Sequence, residues 1–74
     1  MTEARRLQGR VKTIHRAKGF AFITGADLKD YFMYYQAIAS DDWETLKAGD
    51  RVTFIPDPGI KGKGPRAENV QLIG

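Results

Sequence analysis

The sequence predicts a small all-β fold, a five-stranded antiparallel barrel. Short stretches alternate apolar and polar residues with a period of two, turns rich in Gly, Asp and Pro separate them, and no stretch keeps a helical period long enough for a stable helix. A chain of 74 residues is the length of one small domain, and closing its sheet removes the free strand edges that invite aggregation. We expect one domain over residues 1–74, with its motif-bearing part at about 7–73.

The first strand is read at residues 7–12, where Leu7 and Val11 share one face and Arg10 and Lys12 the other. A polar turn, residues 15–18, leads through Gly19 to a second strand at 20–24, Phe-Ala-Phe-Ile-Thr. Residues 25–30 form a turn, and Tyr-Phe-Met-Tyr-Tyr at 31–35 is the third strand. The acidic stretch 36–47, which contains Trp43 and Leu46, has room for a short helical turn near Ala37 and is otherwise read as a loop. After the turn at 48–50, a fourth strand runs over 51–55. Residues 56–65 hold every proline together with Gly59, Gly62 and Gly64, and are read as a loop. A fifth strand closes the chain at 67–73, with Val70 and Leu72 on one face. An oligonucleotide-binding barrel and an SH3-like barrel both fit five strands of these lengths.

Composition narrows the function classes. With no cysteine and only His15 as histidine, thiolate and histidine metal sites are not expected, nor is a disulfide framework, and no cofactor is implied. No apolar run reaches the roughly 20 residues of a membrane span, and residues 1–6 lack the apolar centre of a signal peptide. The expectation is a soluble cytoplasmic protein, without a membrane partner or small-molecule substrate. The net charge of +3 is unevenly distributed. Arg5, Arg6, Arg10, Lys12, Arg16 and Lys18 crowd the first quarter, Lys61, Lys63 and Arg66 form a second basic group, and the middle is acidic. Such a chain can present one positive face to a polyanion. Asp41-Asp42 is read as a solvated pair, and residues 59–64 lack the Gly-Lys-Ser/Thr ending of a phosphate loop. No enzymatic constellation is expected.

The second and third strands carry the functional signal. Neighbouring strand residues face opposite ways, so Phe20 and Phe22 oppose Ala21 and Ile23, and Phe32 and Tyr34 oppose Tyr31 and Met33. If Ala21, Ile23 and Met33 fill the core, the other four rings stand together outside, close to Arg10, Lys12 and Lys18. Exposed contiguous rings mark an interface, and rings framed by cations suit stacked bases with their phosphates at the rim. A one-residue slip exchanges the faces, and periodicity alone leaves both registers open.

Residues 18–24, Lys-Gly-Phe-Ala-Phe-Ile-Thr, resemble the first ribonucleoprotein motif of cold-shock domains, Lys-Gly-Phe-Gly-Phe-Ile. Residues 31–35 resemble the second, usually Val-Phe-Val-His-Phe, and Gly9-Arg10-Val11-Lys12 resembles the family's opening Gly-x-Val-Lys. Ala37-Ile38, Leu46 with Gly49, Val52-Thr53-Phe54, Gly64-Pro65 with Ala67, and Asn69-Val70 follow in the family's order. The resemblance spans about residues 9–72 and implies the oligonucleotide-binding barrel with the rings outside. It implies single-stranded RNA or DNA as partner, bound by a monomer or weak dimer with little sequence preference, as an RNA chaperone binds. By this carry-over Phe20, Phe22, Phe32 and Tyr34 stack bases, with Tyr35 at their edge. Lys12 and Lys18 meet phosphates or base edges, Asp30 accepts a hydrogen bond from a base, Trp43 stacks from a loop, and Arg66 reaches the ligand. Lys61 and Lys63 complete the basic rim. Thr13-Ile14-His15 stands where the family has Trp-Phe-Asn, which removes two rings and leaves His15 as a partial substitute. The other reading of the same patch is a protein-interaction barrel with weakened nucleic-acid binding.

Overall fold

The structure, a computed structural model, describes residues 6–57 and 64–73. Among these, the strands are β1 (Leu7–His15), β2 (Phe20–Gly25), β3 (Asp30–Tyr34), β4 (Arg51–Asp57) and β5 (Arg66–Leu72). They close into a barrel in the order β1-β2-β3-β5-β4, with β4 returning to β1. This is the all-β, oligonucleotide-binding architecture. The expectation of a wholly antiparallel sheet is corrected at one seam, where β3 and β5 run parallel at Phe32 and Arg66, next to a parallel bridge between Ile38 and Val70. The other four seams are antiparallel, so closing an odd number of strands leaves β3 and β5 pointing the same way.

Alternation places the core as read from the sequence. Val11, Ala21, Ile23, Met33, Val52 and Phe54 are buried, and each is flanked along its strand by more exposed neighbours. Gly9 is required where β1 crosses the core, because a Cβ there would meet Thr24 O at 2.7 Å and Ile23 Cγ2 at 2.8 Å. β1 is longer than read and carries a bulge. Val11 pairs with Ile23 and Thr13 with Phe22, so Lys12 is the extra residue, and Lys12 and Thr13 are both exposed. The bulge restores phase, which lets Ile14 pack against the core.

The expected helical turn near Ala37 is a 3-10 turn at Tyr35–Ala37, but the stretch after it, read as a loop, contains a six-residue helix, α1 (Ser40–Thr45). Asp41 and Asp42 occupy its first turn, where negative charge is favourable, and Trp43 and Leu46, three apart, both turn into the core. β4 also continues through Pro56 and Asp57, two residues into the expected loop. No helix among the described residues is long and apolar enough to cross a membrane.

Candidate nucleic-acid interface

The hairpin of β2 and β3 builds the site. Its register sets Phe20 opposite Tyr34 and Phe22 opposite Phe32, while Ala21 meets Met33 and Ile23 meets Tyr31 on the inner side. All four inner residues are buried. The four outer rings therefore form one patch on the barrel surface. Phe20 and Phe32 stack at 5.1 Å, and Phe22 stands edge-on to both, at 5.8 and 5.5 Å. Tyr34 meets Phe32 edge-on at 4.7 Å and is 49% exposed. The phenylalanines are half-buried by one another and keep outward area. Cross-strand aromatic pairs stabilise a sheet by several tenths of a kcal/mol to about 1 kcal/mol each, so the patch holds its own shape.

β1 adds a fifth ring. His15 pairs with Phe20 in the ladder, stacks on it at 4.6 Å and stands edge-on to Phe22 at 6.3 Å. The sequence raised His15 only as a substitute. Its place in the patch follows from the bulge at Lys12, which no local pattern announces. Gly19 lets the chain turn from His15 into β2 with a φ of +80°, and a Cβ there would meet the Tyr35 ring at 2.9 Å.

The charged groups are placed in three ways. Lys12 and Asp30 pair with each other at 2.9 Å, and Thr24 donates to the other carboxylate oxygen at 3.1 Å. The Lys12 ammonium, then the Thr24 hydroxyl, holds the Asp30 carboxyl below its ordinary range. Both residues stay exposed at the patch margin. Arg66 lies over the Tyr34 ring, 6.0 Å from its centre, and is 3.6 Å from Glu68. Lys18 is exposed at the end of the 3-10 turn before β2. A cleft of about 340 Å³ lies between the rings and Arg66, lined by Phe22, Asp30, Phe32, Tyr34, Gly64 and Pro65. Pro65 is in the family pattern and the expected loop but not among the site residues expected from the sequence. Its carbonyl accepts from Phe32 N–H at 3.1 Å and joins the segment before β5 to the patch. Lys61, Lys63 and the glycine-rich stretch 59–64 as far as Lys63 lie outside the described residues.

Tyr35 is 48% exposed and lies beside the patch, its ring 6.2 Å from that of Trp43. Trp43 is the correction. Read as a stacking ring in a loop, it is 9% exposed and belongs to the core. The helical spacing of Trp43 and Leu46 turns it inward, and Arg16 covers its ring at 5.6 Å. Its indole is thereby removed from the outer surface.

The sequence matches the family of the 'Cold-shock' DNA-binding domain over residues 7–73. The chain belongs to the cold-shock domain family. Cold shock protein 2 of Lactiplantibacillus plantarum is 44% identical to this cold-shock domain over 63 residues, 85% of this chain and 92% of the relative. Cold shock protein CapB of Pseudomonas syringae pv. tomato is 44% identical over 68 residues, covering 92% and 96%. Cold shock-like protein CspC of Escherichia coli K12 is 42% identical over 69 residues, covering 92% and 97%. Among solved structures, drosophila Unr CSD456 superposes with a TM-score of 0.74 at 18% identity, covering 95% of this chain and 27% of that longer one. That likeness supports the barrel fold of this cold-shock domain. Family membership makes nucleic-acid binding its general class.

Proposed function

We propose that this cold-shock domain binds single-stranded RNA or DNA by stacking bases on Phe20, Phe22, Phe32 and Tyr34. His15 and Tyr35 extend the platform at its two sides. Lys12, Lys18 and Arg66 supply the cationic rim, with Lys61 and Lys63 assigned to it from the sequence. The observation that supports this reading is the continuous outer ring patch, whose inner alternates fill the core. Every base has a stackable face, so sequence preference is slight. Duplex competes poorly because its bases already stack on each other. Trapping open strands in this way gives the domain an RNA-chaperone character, with no catalytic step. Asp30, with one oxygen held by Lys12 and the other by Thr24, keeps lone pairs that accept from a base edge.

Fluorescence anisotropy of labelled seven-nucleotide single strands and of a matched duplex, each at two salt concentrations, tests the proposal. Phe32→Ala and Phe20→Ala are each expected to weaken single-strand binding about 10-fold, in line with roughly 1–3 kcal/mol per stacked base. Binding is expected to weaken steeply with salt, as phosphate contacts require. Parental affinity in both folded variants would remove the platform from the mechanism. Salt-insensitive binding would remove the phosphate contacts.

A further inference from the structure

Two arginines remain outside the interface described above. Arg10 on β1 and Arg51 on β4 are directly opposite each other in the ladder, and both point outward. Like charges directly opposite on neighbouring strands destabilise a sheet. The other described arginines all hold protein groups. Arg6 donates to Thr53 and Asn69, Arg16 to the Trp43 and Leu46 carbonyls, and Arg66 lies near Glu68. Arg10 and Arg51 hold none among the described residues. They border two adjoining concavities of about 400 and 550 Å³. The first also presents Gln8, Thr24 and Ile73, and the second Asp50, one of whose carboxylate oxygens accepts from the Lys47 N–H at 2.9 Å.

The position of the pair relative to the rings identifies its ligand. Arg51, Arg10, Thr24 and Asp30 form one row across β4, β1, β2 and β3. The next row on the same outer surface is Thr13, Phe22 and Phe32, which leads to Arg66. Two residues along a strand separate these rows, about 7 Å, and neighbouring strands are about 4.8 Å apart. Such steps are comparable to one nucleotide of an extended backbone. An unpaired guanidinium pair one row beyond a stacking platform is suited to the next phosphates of the same strand.

We propose that Arg10 and Arg51 form a second anchoring point for the phosphodiester backbone, carrying a bound single strand past Phe22 toward β4. The inference rests on the proposed single-strand function. Strands of about four nucleotides cover the rings alone, and longer strands also reach the arginines.

The test compares the parent with Arg10→Gln/Arg51→Gln on four-nucleotide and ten-nucleotide single strands over a range of salt. The variant is expected to bind the ten-mer about 10-fold more weakly at low salt, with a salt slope shallower by about 1.4, two phosphate contacts at roughly 0.7 each. Its affinity for the four-mer should stay within about twofold. Thermal unfolding should show a midpoint equal to or above the parent's, because a like-charge pair is removed. An equal loss for both lengths, or none for either, would overturn the second anchor and leave the platform standing. If the parent bound no single strand of either length, the platform and the anchor would both fail.

Discussion

Arg16 shows how a basic residue in a basic segment becomes structural. Its guanidinium donates to the Trp43 carbonyl and to that of Leu46 at 2.6 Å, at the C-terminal end of a six-residue helix, and covers the Trp43 ring. Replacing it by alanine is expected to cost about 1 kcal/mol, because the hydrogen bonds are charge-assisted but the residue is largely exposed. A thermal melt followed by Trp43 fluorescence checks this, with a lowered midpoint expected. Arg6 is similarly committed, clasping Asn69, whose φ is +49°, and Thr53 at the irregularity between β4 and β5. The sequence shows that the first quarter is basic. It does not show which cations are spent on the protein's own carbonyls, because those carbonyls lie 27 to 63 residues away. Tyr31 illustrates the reverse. It takes the family's valine position, and its hydroxyl escapes the core by donating to Asp27 at 2.6 Å. That bond, followed by burial, pushes the Tyr31 hydroxyl up to about 12. A group raised on folding contributes stability that is complete below its unfolded value, near 10, and lost as pH rises through the folded value. The parent is therefore expected to lose stability between about pH 10 and 12, and Tyr31→Phe to lose less there, as urea titrations across that range will measure.

At the scale of the element, strands with a strict period of two were legible and departures from it were not. Alternation sorts Ala21, Ile23 and Met33 from Phe20, Phe22 and Phe32, and the family resemblance indicated which of the two faces is the inner one. The bulge at Lys12 lengthens β1 to His15 and brings that ring onto Phe20, yet residues 12–15 contain nothing that marks an inserted residue. Trp43 was misplaced because six residues are too few for a helix on intrinsic preference. Its fold depends on burying Trp43 and Leu46 and on the Arg16 clasp. The one available signal was the three-residue spacing of those apolar side chains.

For the whole molecule, closure determines what the surface offers. The parallel contact of β3 with β5 brings Arg66 beside Phe32 and over Tyr34, a proximity between residues 34 positions apart in the case of Phe32 that only the closed barrel creates. The same closure pairs β4 with β1 and sets Arg10 against Arg51. One outer surface thus runs from the Arg10 and Arg51 pair, across stacked rings, to a cation over a tyrosine. The family pattern indicated the rings and the barrel. The arginine pair depends on cross-strand register and was not legible. Chemical-shift mapping of the labelled domain, titrated with a single-stranded heptanucleotide, decides whether bases land on the ring patch. The largest changes are expected at Phe20, Phe22, Phe32 and Tyr34, with ring-current shifts of the base protons. Changes confined to the far side of the barrel, with these four rings unmoved, would contradict stacking on this patch.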